Sequence, residues 1–271
     1  MIIVRLTGRM GNQLFQYAFA LSEQKRLGTY AVIDDRFQPD IVTNYFSVHG
    51  LFQHKLIKRL VFRFNKLPII YQDGAEDPAD FFERQVGNSR YYYAYFQSET
   101  YFKTIKEQVK GRFRIQERFQ RQFHEKYGNL FRDKKVLAIH YRFGDYLEWG
   151  KEELGGIDLT LPDSYYRNAA ALIAELDHYL IVVVTDDIQL CESRTSYLKN
   201  KMIVSDSEIM DFQILLNADT LITANSSFSW WAAYLNKKNA RVYAPEYWLG
   251  FKVKSEFPNG IIPDHYIKVP F

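Results

Sequence analysis

A histidine, an arginine and an aspartate stand close together in the segment HYRFGDY, which covers residues 140–146. The segment follows an apolar run, so we expect Arg142 at the end of a strand and His140 on the same face two residues earlier. An arginine at such a position can form paired hydrogen bonds with phosphate oxygens. The alternative is that Arg142 forms a salt bridge with Asp145 and stabilises a turn. From the residues we favour the phosphate site.

A second polar segment, NSSFSWW at residues 225–231, follows a short apolar run and precedes a predicted helix. Hydroxyl groups and backbone N–H groups at a helix start form a site that favours phosphate. The alternative is an N-terminal helix cap followed by two buried tryptophans. Small polar residues occupy four of the first five positions, which favours the phosphate site.

Two further clusters also fall between a predicted strand and a predicted helix. The turn TGRMGNQ at residues 7–13 either lets the backbone approach a ligand closely or is a tight turn in which Asn12 caps the helix. The pair Asp186 and Asp187 follows the most apolar predicted strand and suits a ribose, a base edge or a metal. For this pair alone, helix capping by one of the two aspartates is the favoured interpretation.

The rest of the sequence disfavours several classes of function. The six histidines are scattered, and the one cysteine, Cys191, permits neither an internal disulfide nor a cysteine-based metal cluster. The sequence has no Walker A, GxSxG or GxGxxG pattern. A net charge of +3 gives no argument for a nucleic-acid partner. The aromatic content of 17% fits either a core of large side chains or a cleft whose rings stack on sugars or bases.

The apolar periodicity that must position these clusters alternates between strands and helices, which predicts a parallel, doubly wound α/β architecture. Strands are predicted at residues 2–6, 30–34, 91–96, 135–142, 179–185, 201–205, 220–224 and 241–244. Helices are predicted at residues 12–27, 99–109, 162–178, 187–198, 209–217 and 227–236. Gly28 is a natural end for the first helix.

Basic residues are concentrated in two stretches. Residues 110–135 contain nine lysines and arginines against three acidic residues, and we place the domain junction there. Residues 54–66, from His54 to Lys66, alternate basic and apolar residues. A solvated helix face is the first interpretation of both stretches, and weak contact with an acidic membrane surface is the alternative. The apolar runs are too short for a membrane span or a signal peptide, so we expect a cytoplasmic protein, at most peripheral at the inner face of the membrane.

Three of these segments together resemble family 11 glycosyltransferases, the bacterial and animal α-1,2-fucosyltransferases. GRMGNQLFQYA at residues 8–18 matches the opening pattern of that family, and NSSFSWW at residues 225–231 matches a later segment completely. HYRFGDY matches the pattern HxRRGDY except at Phe143, where the family usually has a second arginine. The matches run in order from residue 8 to about residue 248.

The resemblance implies a GT-B fold, in which two Rossmann-like domains face a central cleft. Residues 1–130 would form the acceptor-side domain, and residues 131–271 would form the domain that holds the GDP-sugar donor. The implied reaction is inverting transfer of L-fucose from GDP-β-L-fucose to the 2-hydroxyl of a galactose, without a metal ion or another cofactor. The implied acceptor is a galactose-containing oligosaccharide or glycolipid in the synthesis of a surface polysaccharide or oligosaccharide.

The same resemblance suggests roles for individual residues. Arg142 would bind the diphosphate and stabilise GDP as it leaves, in place of a metal. Asn12 matches an asparagine at the reacting centre of related enzymes. The expected donor contacts are His140, Asp186, Asp211, Asn225, Ser226, Ser227, Phe228 and Ser229. The carboxylates near Arg142 that could act as general base are Asp145, Glu148, Glu152 and Glu153. Asp145 belongs to the family motif and is equally placed to orient Arg142.

Two alternatives stay open at this point. Phe143 leaves one positive charge fewer near the donor, which motivates a transferase of the same fold with another GDP-sugar donor or another linkage. A catalytically weak nucleotide-sugar-binding protein is the other alternative, and the intact Arg142 and the segment 225–231 argue against it. An oxidoreductase of the Rossmann type is disfavoured because the glycine fingerprint is missing.

Overall fold

The computed structural model describes residues 1–51, 55–64, 66–84, 88–132 and 134–271. The chain divides into two units. Unit 1 comprises Met1–Gln116 with Pro258–Ile261, and unit 2 comprises Glu117–Phe257 with Ile262–Phe271. The division therefore falls inside the basic stretch at residues 110–135.

Unit 1 is organised around a four-stranded parallel sheet. The strands of the unit are β1 (Ile2–Arg5), β2 (Ala31–Asp34), β3 (Phe46–Ser47), β4 (Ile69–Tyr71), β5 (Arg90–Tyr93) and β6 (Arg114–Ile115). Its α-helices are α1 (Met10–Leu27), α2 (Val42–Tyr45), α3 (Lys55–Phe64), α4 (Pro78–Arg84) and α5 (Lys106–Arg112). The sheet has the strand order β2-β1-β5-β4, and β3 pairs with β6 in antiparallel orientation.

The aromatic residues of unit 1 form much of its core. The ring of Phe19 on α1 stacks on the ring of Phe96 with 3.7 Å between the centroids, and Phe81, Tyr92 and Tyr101 surround this pair edge-on. Such edge-to-face packing of large rings fills space between a helix and a sheet efficiently. The core interpretation of the high aromatic content therefore holds for these rings.

Helix α1 illustrates how local sequence sets the ends of an element. Gly28 follows its last residue in the left-handed conformation, with φ of 58°, and its N–H caps the helix as predicted. At the other end the helix already begins at Met10, after the extended residue Arg9. Asn12 thus lies inside the first turn, and the interpretation of Asn12 as the helix cap is wrong.

Unit 2 contains the larger parallel sheet. Its strands are β7 (Lys135–Tyr141), β8 (Gly150–Lys151), β9 (Gly156–Ile157), β10 (Tyr179–Thr185), β11 (Lys201–Val204), β12 (Thr220–Ile222), β13 (Arg241–Pro245) and β14 (Ile267–Val269). Its α-helices are α6 (Glu117–Tyr127), α7 (Asp163–Ala171), α8 (Ile188–Arg194), α9 (Glu208–Leu216) and α10 (Ser227–Tyr234). Six strands form the sheet in the order β11-β10-β7-β12-β13-β14.

Alternation along β7 decides which side chains enter the core of unit 2. Leu137, Ile139, Tyr141 and Phe143 belong to one buried cluster. His140 and Arg142 are on the opposite face, because successive residues of an extended chain point to opposite sides. This is the shared face that the sequence predicts for His140 and Arg142.

The structure of unit 2 differs from the sequence prediction in one helix and in its last strand. The helix expected at residues 162–178 ends at Ala171. The left-handed backbone of Glu175, with φ of 54°, prevents a continuous helix as far as His178. Leu176–His178 then forms a separate 3₁₀ turn. The last strand, β14, has only three residues and was not predicted.

Each of the two basic stretches contains a helix, α3 (Lys55–Phe64) in residues 54–66 and α6 (Glu117–Tyr127) in residues 110–135, and the second stretch also contains β6. In α3, Lys58 forms an ion pair with Asp35 at 2.9 Å, and Val61 and Phe62 pack against the apolar side of the unit 1 sheet. In α6, Phe123 and Tyr127 are buried. His54, the first residue of the predicted 54–66 stretch, lies outside the described residues. Within the described ranges, every helix is too short or too polar to span a bilayer.

Candidate active site

Arg142 is held by two carboxylates at the carboxyl end of β7. Its Nη1 group donates to Oδ2 of Asp186 at 2.5 Å, and its Nη2 group forms an ion pair with Asp145. The other oxygen of Asp186, Oδ1, accepts the backbone N–H of Phe143 at 2.8 Å. Asp186 therefore fixes both the guanidinium and the backbone that carries it. We call these three charged residues the Arg142 triad.

The sheet register brings the members of the triad together. Strands β7 and β10 are parallel neighbours, with Thr185 opposite Tyr141, so Asp186 and Arg142 leave the sheet side by side. Gly144 makes room for this arrangement. Its φ is 39°, and a Cβ atom there would lie 2.7 Å from Oδ2 of Asp186. A side chain at position 144 would therefore displace the carboxylate that holds Arg142.

Phe143, the one departure from the family motif, is a core residue. Its side chain is buried, and its ring centroid lies 5.8 Å from that of Tyr141. The guanidinium carbon of Arg194 lies 5.9 Å from the same ring. Position 143 thus anchors the loop that follows β7, with its side chain on the face opposite to Arg142.

His140 is a buried, neutral neighbour of the triad. Burial and the charge of Arg142 lower its pKa to about 3. Its Nδ1 atom is buried and has no hydrogen-bond partner among the described residues, and its ring centroid is 5.5 Å from that of Phe228. A buried polar atom without a partner costs free energy, so this nitrogen is a candidate contact for a ligand.

The start of α10 is connected to the Arg142 loop. The hydroxyl of Tyr146 donates to the backbone carbonyl of Asn225 at 3.1 Å, and the guanidinium carbon of Arg142 lies 5.5 Å from the Tyr146 ring. The amide of Asn225 donates to Leu159, while its Oδ1 atom is buried without a partner in the described chain. A second buried polar atom therefore needs a partner at this edge of the sheet.

The serines of the segment 225–231 divide into two kinds. Ser226 is the cap of α10, and its Oγ accepts the N–H of Phe228 at 3.4 Å. Ser229 is fully buried, and its hydroxyl donates to the carbonyls of Ala224 and Ser226. This geometry gives Ser229 a contact within the turn, while Ser227 and Phe228 are half-buried at the helix start.

Asp187 and Asp211 occupy different environments. Asp187 caps α8 by accepting the N–H of Leu190 at 2.9 Å, as the favoured interpretation of the aspartate pair predicts. Asp211 on α9 is buried and accepts the backbone N–H of Asp206. Burial raises the pKa of Asp211 to about 7. The adjacent ring of Phe212 is 5.4 Å from that of Phe228, which connects α9 to the start of α10.

Asn12 belongs to unit 1 and follows β1. Its Oδ1 atom accepts a hydrogen bond from Nε2 of Gln97 at 2.8 Å. The side chain lies against Gly8, whose φ is 74°, and a Cβ atom there would meet Nδ2 of Asn12 at 2.3 Å. Gly8 therefore allows the close approach that holds Asn12 at the carboxyl edge of the sheet.

Two buried glutamines of the opening motif were missed by the sequence interpretation. Gln13 donates to the carbonyl of Pro39 and accepts the N–H of Ile41. Gln16 accepts the N–H of Thr7 and donates to the carbonyl of Ala94. A buried amide that serves one donor and one acceptor on neighbouring chain segments fixes both segments. The sequence feature that could have identified Gln13 and Gln16 is a pair of amide side chains on a helix whose other residues are largely apolar.

A metal site would need several ligands close together. Across the ranges that the structure describes, no three or more His, Cys, Asp or Glu side chains are grouped in that way. The carboxylates of the triad are instead engaged with Arg142.

The fold of this chain is similar to that of GT-B-type fucosyltransferases. NodZ, a fucosyltransferase from Bradyrhizobium, has a similar structure with a TM-score of 0.56 and 15% identity, covering 86% of this chain and 91% of that chain. FUT1 from Arabidopsis thaliana, in complex with GDP, gives a TM-score of 0.56 and 12% identity, covering 90% of this chain and 70% of that chain. Both show a GT-B-type α/β fold, and the predicted fold class is confirmed.

The chain belongs to glycosyl transferase family 11, because the sequence model of that family matches residues 1–256. Two curated relatives come from Escherichia coli. The O-antigen biosynthesis glycosyltransferase WbnK is 26% identical over 93% of this chain and 96% of its own length. An alpha-1,2-colitosyltransferase is 24% identical over 91% of this chain and 92% of its own length. The family resemblance inferred from the motifs is confirmed.

Proposed function

We propose that this protein is an inverting fucosyltransferase that moves L-fucose from GDP-β-L-fucose to the 2-hydroxyl of a galactoside. The observation that carries the proposal is the Arg142 triad at the carboxyl end of a central strand of a parallel sheet. Ligands of open α/β sheets bind at that edge. A guanidinium prearranged there suits a diphosphate, and membership of family 11 supports a sugar nucleotide as its source.

The donor diphosphate is proposed to take the place of one of the two carboxylates that hold Arg142. A diphosphate oxygen replaces Asp145, whose side chain is 51% exposed, while Asp186, 27% exposed, continues to hold Arg142. The guanidinium then neutralises charge that develops on GDP as the glycosidic bond breaks, which makes a metal ion unnecessary. The N–H groups at the start of α10 favour the same anion.

The nucleotide contacts follow from the groups around the triad. We assign Nδ1 of His140 and Oδ1 of Asn225, both buried without partners among the described residues, to polar atoms of the donor. Ser226, Ser227 and Phe228 line the same helix start. The resemblance to other fucosyltransferases supports Asp211 near the guanosine, whereas the geometry supports Asp186 as the residue that positions Arg142.

Chemistry at the acceptor needs a proton carrier. The acceptor oxygen forms the new bond to the anomeric carbon as GDP leaves with the bonding electrons, and the proton of the hydroxyl passes to a carboxylate. Asp145, once released from Arg142, is our candidate for that base. Unit 1, with Asn12 at its sheet edge, is proposed to bind the acceptor, and unit 2 the donor. The O-antigen relative supports a role in surface polysaccharide synthesis.

One relative favours a second donor. The alpha-1,2-colitosyltransferase is about as similar as WbnK, and colitose differs from fucose by the loss of one hydroxyl. GDP-colitose is therefore the second candidate, with the same linkage.

The test is an assay for GDP release and product formation with EDTA present. GDP-fucose and GDP-colitose are each incubated with lactose and other β-galactosides, and the product linkage is determined by NMR. We expect a new α-1,2 linkage with GDP-fucose. Faster transfer from GDP-colitose would favour the second candidate, and absence of both donor binding and turnover would contradict the proposal.

A further inference from the structure

The four parallel strands of unit 1 carry a continuous row of three aromatic rings and one guanidinium group at their carboxyl ends. In the sheet order β2-β1-β5-β4, the row is formed by Phe37 after β2, Arg5 at the end of β1, Tyr93 at the end of β5 and Tyr71 at the end of β4. The register places Tyr71 directly beside Tyr93. We call these four residues the ring–guanidinium row.

The row is closely packed. The guanidinium carbon of Arg5 lies 4.0 Å from the ring centroid of Phe37 and 4.2 Å from that of Tyr93, so it is held between two rings. The rings of Tyr93 and Tyr71 are 5.6 Å apart and nearly edge-on. Each spacing is within the range of a favourable cation–π or aromatic contact.

Arg5 differs in charge balance from the other arginine of this edge. Arg36 donates to both oxygens of Asp34, at 2.9 and 2.7 Å, so its charge is matched by a carboxylate. The side chain of Arg5 has no ion pair or hydrogen bond within the described ranges, and its Nε atom is buried without a partner. A cation whose buried N–H lacks an acceptor is suited to an anionic ligand.

The outer rings of the row are exposed, unlike the core aromatics. Phe37 is 59% exposed and Tyr71 is 63% exposed, whereas Phe19 and Tyr92 are fully buried. Exposed rings at the carboxyl edge of a parallel sheet lie where ligands of this fold bind. An aromatic face covers the apolar side of a sugar ring and leaves the hydroxyl groups to solvent or to polar side chains.

We infer that the ring–guanidinium row binds a saccharide that carries an anionic group, with a carboxylate or phosphate on Arg5 and sugar rings on Phe37, Tyr93 and Tyr71. The inference rests on the proposed function in identifying this saccharide as the acceptor. It adds that the acceptor is charged, and that charge near the galactose contributes to selection. The ligand chemistry is that of an anionic glycan, and the charge has two possible sources, a carboxylate or a phosphate.

Three matched galactosides separate those sources. Lactitol is neutral, lactobionate carries a carboxylate at the same end, and lactose 1-phosphate carries a phosphate. Binding to the full protein is measured by saturation-transfer NMR and calorimetry, without donor. We expect one or both anionic galactosides to bind about tenfold more tightly than lactitol, the size of one hydrogen bond to a charged group. Which anion binds more tightly identifies the source.

Variants of the row connect the preference to its residues. Arg5→Gln is expected to remove the preference for the anion, and Arg5→Lys is expected to retain part of it. Tyr71→Ala is expected to weaken all three galactosides alike, because it removes a ring and no charge. Lys106→Gln, at an exposed cation on α5 of the same unit, is the control and leaves the preference unchanged. Thermal unfolding verifies that each variant is folded.

Two results would overturn the inference. The first is equal affinity of the wild-type protein for lactitol and both anionic galactosides, or no binding of any of the three. The second is a preference for the anionic galactosides that survives in folded Arg5→Gln. The donor assay distinguishes this failure from failure of the proposed function. If GDP-fucose binds and is used while the anion preference is missing, only the present inference fails. If the donor is neither bound nor used while Arg5 still selects anionic galactosides, the proposed reaction fails and the saccharide site stands.

Discussion

Both units present an arginine at the carboxyl end of a central parallel strand, and the two arginines have opposite surroundings. Arg142 in unit 2 is bound by the carboxylates of Asp145 and Asp186. Arg5 in unit 1 is bound by two aromatic rings and has no carboxylate partner among the described residues. The same topology thus carries a cation paired with carboxylates in one unit, and in the other a cation that lacks such a partner in the described part of the chain.

The difference indicates two ways to use an arginine. Two carboxylates orient a guanidinium before the ligand arrives. An incoming diphosphate then replaces one of these anions, so the cation is paired with an anion before and after binding. Rings hold a guanidinium in place while leaving its charge unbalanced. The first arrangement suits electrostatic catalysis on a leaving group, and the second suits selection of a charged ligand.

The largest expected effect is on the compensated cation. Arg142→Ala is expected to lower kcat of fucosyl transfer by about 10²–10³, the loss typical for removing a preorganised group that stabilises transition-state charge. Steady-state kinetics with GDP-fucose measure it. Arg241→Ala, at an exposed arginine on β13, is the matched control in unit 2 and should leave kcat unchanged. A near-normal kcat for folded Arg142→Ala would show that the triad does not serve the leaving group.

The two carboxylates of the triad should differ from each other. Asp145→Asn is expected to lower kcat by about 10² and to remove the pH dependence of kcat that a general base produces. Asp186→Asn should lower kcat about tenfold and raise the KM of the donor, because a misaligned guanidinium still carries its charge. The shape of the pH profile should survive in Asp186→Asn. Equal losses with identical pH profiles would mean that both residues only position Arg142.

Sequence reasoning predicted the central strands of unit 2 well, because β7 and β10 are seven-residue, largely apolar runs followed by polar residues. It predicted little of residues 37–80, where β4 has only three residues and α4 only seven. Short elements show too little periodicity to separate them from loops. Their positions depend on contacts with distant segments, such as the pairing of Tyr71 with Tyr93.

The predicted site shows the same limit. The Arg142–Asp145 pair was predictable because its members are three residues apart, whereas the contact of Arg142 with Asp186 depends on the register of β7 and β10. The role of Phe143 as a core anchor follows from strand alternation continuing past Tyr141, which the local sequence does not reveal. The row on unit 1 was missed for a similar reason, since its four residues come from four separate strand ends.

The two units also differ in how the pKa of a buried carboxyl group makes stability depend on pH. In unit 1, burial of Asp34 opposes ionisation, yet hydrogen bonds from Arg36 and Tyr91 bring its pKa below the ordinary value. Asp34 therefore contributes stability at neutral pH that is lost as the pH falls through its lowered pKa. In unit 2, burial raises the pKa of Asp211 to about 7, so this carboxyl contributes stability at acid pH that is lost as the pH rises through 7.

The corresponding variants should respond in opposite senses. Relative to Asp211→Asn, the wild-type protein should lose about 2–3 kcal/mol of unfolding free energy between pH 5 and pH 8. Relative to Asp34→Asn, it should gain stability as the pH rises from acid to neutral. Denaturant unfolding at each pH measures both differences. Parallel curves for wild type and Asp211→Asn from pH 5 to pH 8 would contradict the environment assigned to Asp211.

The smallest expected effects come from the glycines that make room at the two edges. Gly8 in unit 1 and Gly144 in unit 2 both have positive φ, and a Cβ atom would meet Nδ2 of Asn12 at 2.3 Å and Oδ2 of Asp186 at 2.7 Å, respectively. Gly28 also has positive φ, but a Cβ atom there has nothing within 4 Å. Gly28→Ala therefore measures the cost of the left-handed backbone alone, about 1 kcal/mol.

Gly8→Ala and Gly144→Ala should each cost somewhat more than Gly28→Ala in unfolding free energy, because a neighbouring side chain must also move. Only Gly144→Ala should raise the KM of GDP-fucose, since the displaced carboxylate is the one that orients Arg142. Gly8→Ala should instead change the KM of the galactoside, through Asn12. If the donor and acceptor constants responded in the reverse order, the assignment of the donor to unit 2 and the acceptor to unit 1 would have to be exchanged.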